Sequence, residues 1–483
     1  MAAMPRSCDT AIRSATIIDG TGAPRWRGDI AVAGERIVAM GDLGAMTATR
    51  DIDAAGLVAA PGFIDVHTHD DRAVITDGAM LPKISQGVTT VVTGNCGISL
   101  APLAPNGPVP PPLDLLGGSE EYRFASFGDY LGAFAARPGP VNVAPMIGHS
   151  TLRVGTMDDV SRAASDAEIA RMQSLLGECM AAGAVGFSTG LYYPPNRAAP
   201  IDEVVALLEV AGRTGAIYTT HMRNEGDGVE DSLEESFETA RRAGVELVIS
   251  HHKCEGTQNF GRSERTLRRI DEARARQPVG LDVYPYAASS TVLLPEFVDN
   301  VLRIIVTWSR AHPEASGRDL SVIAQEWGVS DREAAARLAP AGAIYFRMDE
   351  ADVQRILAYP HTMVGSDGLP HDEHPHPRLW GTFPRVLGHY VRELQLLSLE
   401  DAVRKMTGLT AGRFGLTDRG TLKPGAFADV VLFAPDVVID RATFEKPKQA
   451  AAGIELVMVN GEATYADGAA TGAAPGRMLL KAA

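Results

Sequence analysis

The central part of the chain alternates short apolar runs, rich in β-branched residues, with longer amphipathic stretches of helical period. This alternation is typical of parallel βα units, in which a helix follows each strand and covers the sheet. Eight such apolar runs can be counted, and eight is the strand number of a (β/α)8 TIM barrel. They lie at residues 62–66, 88–93, 141–147, 184–187, 216–220, 246–250, 279–283 and 362–365.

The main alternative to a barrel is an open, doubly wound sheet, which has the same periodicity. No glycine-rich dinucleotide motif follows the first predicted strand, so the barrel is favoured. Helix starts support the βα assignment, because Ser165 with Glu168 matches a capping box and Ser398 with Asp401 matches its acidic variant. The predicted fold class is therefore α/β.

Both ends of the chain have a different texture. Residues 11–45 are short apolar runs separated by turns, and Asn460-Gly461 near the other end is a two-residue hairpin signal. We expect residues 1–61 and 416–483 to form one small β-sandwich domain beside a barrel over 62–415. The stretch 285–350 is too long for an ordinary connection and contains two helical patterns, so it is predicted to be a lid inserted in the barrel.

Composition limits the classes of binding partner and the cellular compartment that we expect. Against 60 acidic residues there are 45 lysines and arginines, a formal charge of −15 that disfavours binding to nucleic acid or an anionic membrane. The four cysteines are scattered without a CxxC pair, and no apolar run is long enough for a membrane helix or a leader peptide. We therefore expect a cytoplasmic protein acting on a small molecule, and a chain of this size can be monomeric.

Five of the predicted strands end in a side chain that can bind a metal. They are followed by His67-Thr68-His69, by Cys96, by His221, by His251-His252 and by Asp367. Each of these residues alone has an ordinary structural explanation, as a hydrogen-bonded histidine, a buried thiol or a helix-capping aspartate. Because the carboxyl ends of barrel strands share one rim, all five together favour a metal site. Zn²⁺ suits this mixture of imidazole, thiolate and carboxylate.

The strings around these residues carry a family resemblance. PGFIDVHTH at 61–69, with the downstream histidines and aspartate, resembles the amidohydrolase superfamily. A narrower resemblance, over essentially the whole chain, is to the D-aminoacylases, the N-acyl-D-amino-acid deacylases. It rests on TGNCG at 93–97, THMR at 220–223, SHHK at 250–253 and GSDGLPH at 365–371.

The resemblance implies a particular set of metal ligands. One tightly bound Zn²⁺ is assigned to Cys96, His221 and His251, and a second, weaker ion to His67 and His69 sharing the same cysteine.

Two features of the sequence bear on that assignment. Many members of the superfamily bridge two metals with a carbamylated lysine after strand four, but residues 187–190 read FSTG. The deacylase branch is similar to this chain in using a cysteine instead. His252 is expected to point away from the metal because neighbours on an extended chain alternate sides, and His149 is a less favoured ligand.

The activity that the resemblance implies is zinc-dependent hydrolysis of N-acyl-D-amino acids to a carboxylate and a free D-amino acid. Asp367 is expected to act as general base on a metal-activated water and then as general acid toward the leaving amine. Neutral or hydrophobic D-amino acids are the expected substrates, with N-acyl-D-glutamate or N-acyl-D-aspartate as the alternative. A hydantoinase-like or isoaspartyl-dipeptidase-like amidase is disfavoured by the missing strand-four lysine. A non-catalytic scaffold is disfavoured by the complete ligand set.

The substrate's carboxylate requires a cation and hydrogen-bond donors. Arg378 is the first candidate, with Tyr284 and Ser290 after strand seven as hydroxyl donors, and the resemblance supports this trio. Further cations near the mouth, which would favour acidic side chains, are Lys253, Arg223 and Arg347. An apolar wall for hydrophobic side chains is predicted at Leu293, Leu294 and Phe297 in the lid.

Overall fold

The computed structural model describes residues 7–481. At its centre is a barrel of eight parallel strands, each paired with the next along the chain. The eight strands predicted from the apolar runs are confirmed. They are Phe63–Asp65, Val88–Thr93, Asn142–Gly148, Gly186–Gly190, Ile217–His221, Leu247–Ile249, Val279–Val283 and Thr362–Val364.

The barrel closes between its first and last strands through a short seam. Thr68 and Gly368 form an isolated parallel bridge, and the Asp367 N–H donates to the His67 carbonyl at 2.7 Å. The seam therefore joins the two strand ends that carry His67, His69 and Asp367.

Apolar side chains fill the barrel interior beneath the strand ends. Ile64, Met146, Val248 and Met363 belong to one buried cluster, which includes Phe414 from the last helix. A filled interior makes the barrel a packed core rather than a pore. The polar strand-end residues lie at the rim of this core.

Helices cover the outside of the barrel. The two predicted helix starts are confirmed: the Ser165 hydroxyl accepts the Glu168 N–H, and the Ser398 hydroxyl accepts the Asp401 N–H. No helix in the described part of the chain is both long and apolar enough to cross a membrane. Outside the lid, the α-helices are Ala73–Thr76, Leu81–Ile84, Phe127–Ala136, His149–Thr156, Asp166–Ala181, Pro194–Arg197, Ile201–Gly212, Val229–Ala243, Ser263–Arg274, Glu350–Ala358, Arg378–Arg385, Leu399–Met406 and Gly408–Phe414.

The two ends of the chain form one mixed sheet of nine strands. The first strand, Ser7–Ile17, pairs in parallel with Thr47–Asp53 and then with Val58–Pro61, so the sheet branches there. The amino-terminal and carboxyl-terminal strands meet where Val58–Pro61 pairs antiparallel with Val430–Phe433. The predicted union of both ends is confirmed. The remaining strands are Trp26–Ala33, Arg36–Gly41, Ile454–Val459, Glu462–Ala466 and Ala469–Ala470.

The segment predicted to be a lid contains its own small sheet. It lies between the seventh and eighth barrel strands and holds three antiparallel strands and two helices. The limits of the lid and of the two domains stay predictions. Residues 477–481, at the end of the predicted small domain, hydrogen-bond with Val143 and Gly183 of the barrel instead of the terminal sheet. The lid elements are Ala288–Val292, Arg303–Ser309, Leu320–Trp327, Asp331–Leu338 and Ala341–Phe346.

Candidate metal centre and active site

Three strand-end residues adopt a backbone conformation that is unfavourable for side chains with a Cβ. Cys96, His251 and Asp367 have φ angles of +53°, +35° and +50°. Left-handed residues other than glycine persist only where the surrounding structure holds them, and they concentrate at active sites. The fold therefore maintains three strained turns at the rim of the barrel.

The side chains from these turns meet in two overlapping groups that can hold metal ions. One group is Cys96, His221 and His251, and the other is His67, His69, Cys96 and Asp367; within each, the ligand atoms lie within 4.8 Å of one another. The Cys96 Sγ is 3.2 Å from His67 Nε2 and 3.3 Å from His251 Nε2. Two ligands of one zinc ion lie roughly 3.5 Å apart, so these spacings fit a shared ion. The structure thus brings together all five predicted ligands, with Cys96 common to both groups.

The protonation of Cys96 and His221 suits metal binding. Burial favours the neutral thiol of Cys96, but His67 and His251 outweigh it and hold the pKa of the thiol well below its usual value. Burial lowers the pKa of His221 to about 4, which keeps the imidazole neutral. Neither nitrogen of this buried ring has a hydrogen-bond partner among the described residues. Its Nε2 lies 3.3 Å from Glu225 Oε2, and the neutral ring has a lone pair that a metal ion in this group could use.

Two carboxylates that the sequence analysis missed lie behind the imidazoles. Glu225 Oε1 is 3.1 Å from His251 Nδ1, and Asp282 Oδ1 is 3.4 Å from His67 Nδ1. An imidazole that binds metal through Nε2 carries a proton on Nδ1 and donates it to such a carboxylate, which orients the ring. Lys253 Nζ also approaches His251 Nδ1, at 2.8 Å. Because an ammonium has donors only, Glu225 is the acceptor once His251 Nε2 binds a metal.

The sequence did carry weak signals for both carboxylates. Asp282 is the single charged residue in the otherwise apolar run 279–283, and Glu225 follows His221 by four residues.

Replacing Glu225 by glutamine is expected to weaken zinc binding at the group Cys96, His221 and His251 by about 10- to 100-fold. The amide keeps the shape but removes the negative charge that polarises His251. Competition with a chromophoric chelator measures the affinity. Glu235→Gln is the matched control, because Glu235 pairs with Arg223. Equal zinc affinity in both variants would contradict the assigned role of Glu225.

Asp367 bridges the metal group and an arginine. Its Oδ1 is 3.2 Å from His69 Nε2 and 3.6 Å from His67 Nε2, and its Oδ2 is 2.9 Å from the Arg378 guanidinium. Burial opposes ionisation, but Arg378 and His67 outweigh it and hold the pKa of Asp367 well below its ordinary range. Asp367 is therefore a carboxylate placed to accept a proton beside the metal group.

A narrow cavity of about 20 Å³ lies over the two groups. The lining mixes metal-group histidines, aromatic rings and paired charges. It comprises His69, Leu115, Tyr192, Tyr193, His221, Glu225, His251, Lys253, Glu255, Tyr284, Ser289, Ser290, Thr291, Arg347, Asp367 and Leu369.

Two members of the predicted carboxylate-binding trio, Tyr284 and Ser290, line this cavity, whereas Arg378 is fully buried behind them and is not part of the lining. The Arg378 guanidinium lies 4.4 Å from the centre of the Tyr284 ring and donates to the Ser290 carbonyl at 2.9 Å. The Ser290 hydroxyl and Arg378 Nε have no hydrogen-bond partner among the described residues. These unused donors are consistent with a site for an anionic ligand.

The other predicted cations divide into two sets. Lys253 and Arg347 line the cavity, and each has a carboxylate partner: Lys253 Nζ is 2.7 Å from Glu225, and Arg347 is 3.1 Å from Glu255. Arg223 is not brought to the cavity. Its guanidinium binds Glu235 at 2.8 Å and the carbonyls of residues 197 and 199. The helix 229–243 supplies this competing carboxylate.

The predicted apolar wall in the lid needs a correction. Leu293, Leu294 and Phe297 are not part of the cavity lining. Phe297 stacks on Tyr192 with ring centres 4.6 Å apart, and Tyr192 stacks on His221 at 5.2 Å. Tyr192 therefore stands between Phe297 and the metal group.

The residues that the sequence analysis placed outside the ligand set have other partners. His252 Nε2 is 2.8 Å from the Thr266 hydroxyl, and His149 Nε2 is 2.9 Å from the Glu203 carboxylate. Where a bridging lysine would be, the Ser188 hydroxyl accepts the Gly97 N–H at 2.9 Å. Ser188 thus holds the turn that carries Cys96.

Comparison with known proteins agrees with this geometry. The sequence model of the amidohydrolase family matches residues 50–281 and 255–465. The chain belongs to the amidohydrolase family. This amidohydrolase is 55% identical over 475 residues to the D-aminoacylase of Alcaligenes xylosoxydans xylosoxydans, covering 98% of each chain. It is 54% identical over 477 residues to the N-acyl-D-aspartate deacylase of the same organism, covering 98% of this chain and 95% of that one. The family resemblance seen in the strand-end strings is confirmed.

Solved structures extend the comparison. A D-aminoacylase with a binuclear metal centre, for which one-metal activation and second-metal attenuation are described, superposes with a TM-score of 0.95 at 55% identity, over 98% of this chain and all of that one. The N-acyl-D-glutamate deacylase of Bordetella bronchiseptica, complexed with zinc and a phosphonate mimic of the tetrahedral intermediate, gives 0.94 at 49% identity, over 99% and 100% of the two chains. The amidohydrolase therefore shares its whole architecture with both kinds of deacylase.

Proposed function

We propose that this amidohydrolase hydrolyses the amide bond of N-acyl-D-amino acids, releasing a carboxylate and the free D-amino acid. The observation that carries the proposal is the cluster in which Cys96 joins two groups of imidazoles beside the Asp367 carboxylate. A fixed carboxylate next to a metal group, with Arg378 on its other side, suits an amide that bears an acid. Relatives at 55% and 54% identity that are named for such hydrolysis support it.

Zinc is the ion that we propose for this centre, with the tighter site at Cys96, His221 and His251. A thiolate with neutral imidazoles is a donor set that zinc favours, and the buried His221 ring, which its low pKa of about 4 keeps neutral, fits a ligand role. His67 and His69, sharing Cys96, would hold the weaker second ion. When bound, such an ion supplies a Lewis acid that polarises a carbonyl and acidifies water.

Asp367 is proposed to carry the proton through the reaction. The ionised Oδ1, next to His67 and His69, takes the proton from the attacking water and then delivers it to the amide nitrogen as the C–N bond breaks. One residue can perform both steps because the proton leaves and returns at the same side of the substrate.

The substrate's α-carboxylate is proposed to bind Arg378, Tyr284 and Ser290, with Lys253 beside them. The Ser290 hydroxyl lines the cavity and has no hydrogen-bond partner among the described residues, and the Arg378 guanidinium adds a positive charge directly behind Tyr284 and Ser290. Anchoring this end leaves the acyl amide directed toward the metal group.

Neutral side chains are the proposed preference. The remaining predicted cation in the cavity is occupied, since Arg347 binds Glu255 at 3.1 Å. A second substrate carboxylate would have to displace Glu255 from Arg347, whereas Tyr192 and Leu369 offer apolar surface. N-acyl-D-glutamate or N-acyl-D-aspartate is the alternative, because relatives named for the D-aspartate and D-glutamate substrates are 54% and 50% identical to this chain, against 55% for the D-aminoacylase.

A hydrolysis panel tests the proposal: N-acetyl-D- and N-acetyl-L- forms of methionine, leucine, glutamate and aspartate, with bound zinc quantified. We expect kcat/KM for D-methionine and D-leucine to exceed that for the acidic D-substrates by at least about tenfold, with little turnover of the L-forms. In Glu255→Gln, which frees Arg347, kcat/KM for N-acetyl-D-glutamate should rise relative to that for N-acetyl-D-methionine. Equal rates on both enantiomers would refute the proposal, and a wild-type preference for D-glutamate would establish the alternative.

The place of action and the assembly are also proposals. All four cysteines are buried and unpaired, which suits a reducing cytoplasm. That the enzyme works as a monomer stays a prediction from chain length.

A further inference from the structure

Lys83 is a buried lysine that takes no direct part in the proposed reaction. It lies on the short helix Leu81–Ile84, and its side chain is 1% exposed. Its ammonium has three donors, and three acceptors surround it: Asp65 Oδ2 at 2.8 Å, Ser366 Oγ at 3.0 Å and Asp70 Oδ2 at 3.2 Å. A buried charge persists only where it is paired in this way. The pairing therefore fixes the positions of the Asp65, Asp70 and Ser366 side chains around the ammonium.

The acceptors of Lys83 come from both sides of the barrel seam. Asp65 ends the first barrel strand, Phe63–Asp65, and its Oδ1 accepts the Ser366 N–H at 2.7 Å. The Ser366 hydroxyl accepts the Gly368 N–H at 3.2 Å. Asp367 lies between Ser366 and Gly368, so the backbone on each side of it is anchored to the Lys83 cluster.

Asp367 needs this anchoring because its φ of +50° is unfavourable for a residue with a Cβ. Across the seam, its N–H donates to the His67 carbonyl at 2.7 Å. Its carboxylate is 3.2 Å from Nε2 of His69, which follows the first barrel strand. A shift of one strand end against the other would therefore change the distance between the carboxylate and the metal group.

We propose that Lys83 is a positioning residue for Asp367. By binding Asp65 and Ser366 across the seam, it holds the Asp367 carboxylate where the proton must be accepted and returned. This inference rests on the proposed function, because it concerns the step assigned to Asp367. A misplacement on the order of 1 Å slows an oriented step by about 10²-fold, while the contacts that Arg378 makes with substrate are unaffected. The loss should therefore fall on kcat rather than KM.

The test compares Lys83→Met and Ser366→Ala with the wild type, using Lys405→Met as matched control. Lys405 is also fully buried, but its Nζ donates to the Tyr359 carbonyl and takes no part in the site. We expect kcat to fall by about 10²-fold in Lys83→Met and about tenfold in Ser366→Ala, with KM within about twofold and zinc content unchanged. Lys405→Met should lower the Tm and keep kcat. Ser366→Ala leaves every charge paired, so it tests the proposal even if Lys83→Met does not fold.

A double-mutant cycle with Asp367→Asn separates positioning from general structural support. If Lys83 acts through Asp367, adding Lys83→Met to Asp367→Asn should lower kcat further by less than about twofold. The proposal is overturned if folded Lys83→Met and Ser366→Ala keep the wild-type kcat. It is also overturned if Lys83→Met lowers kcat by the same factor in Asp367→Asn as in the wild type.

Crystal structures of Ser366→Ala and the wild type give a readout independent of turnover. The backbone turn at Asp367 moves if the proposal is right and stays in place if it is wrong. A wild-type enzyme inactive on the whole substrate panel would refute the proposed function, and the structural comparison would still decide the role of Lys83.

Discussion

Asp367→Asn is expected to lower kcat by about 10³-fold while the purified protein keeps its zinc. Asparagine has the shape of aspartate and can still accept a hydrogen bond from Arg378, but it cannot take up the proton of the attacking water. The low pKa that Arg378 and His67 impose, against burial, means that the wild-type residue is ionised, which is the form that a general base requires. Steady-state rates on N-acetyl-D-methionine and zinc content per chain, measured on the same sample, check the prediction.

Zinc content distinguishes proton transfer from metal binding at Asp367, because its Oδ1 lies near His67 and His69 as well. If Asp367 were mainly a ligand, the variant would lose zinc in step with its rate. Asp372→Asn is the matched control: Asp372 is also buried, but its burial raises its pKa to about 7 and it has no contact with the metal group. It should retain both zinc and turnover.

Cys96→Ala is expected to remove metal from both groups at once, leaving less than about 0.1 zinc ion per chain after purification and no measurable turnover. Cys96 is the only residue common to the two groups. Its thiol is held as a thiolate by His67 and His251 despite burial. Elemental analysis of the purified variant measures the loss. His221→Ala removes a ligand of the tight site only. This variant should keep part of its zinc, bound at His67, His69 and Cys96.

Cys254→Ala controls for the loss of a buried sulfur. Cys254 is as deeply buried as Cys96, but burial raises its pKa to about 12, so it is a neutral thiol and a poor ligand. This variant should bind a full complement of zinc. If Cys96→Ala also retained one zinc ion per chain, the assignment of Cys96 as the shared ligand would be wrong.

Much of the site could be predicted because parallel strands impose a geometric rule. Once eight apolar runs are recognised, the residues that follow them must share one rim, and that rule alone brings His67, Cys96, His221, His251 and Asp367 together. The periodicity of 2 along a strand also predicts that His252 points away from His251. Neither inference requires knowledge of packing.

The sequence could not show which charges pair across the fold. Arg223 follows a barrel strand just as His221 does, yet Glu235 on the next helix binds its guanidinium and keeps it from the cavity. Phe297 lies between the seventh and eighth barrel strands, but the ring of Tyr192, from a different strand end, separates it from the metal group. Such choices depend on distances between segments that are far apart in the chain.

By itself, then, the amino-acid sequence determined the strand order of the barrel, the union of the two chain ends and the residues gathered around the metal centre, because periodicity and strand direction are local properties. Only the tertiary structure decided that Glu225 and Asp282 orient the imidazoles and that Lys83 ties the seam beneath Asp367. The physical reason is that a buried charge takes its partner from whatever the fold places within about 3 Å, and sequence spacing does not encode that distance.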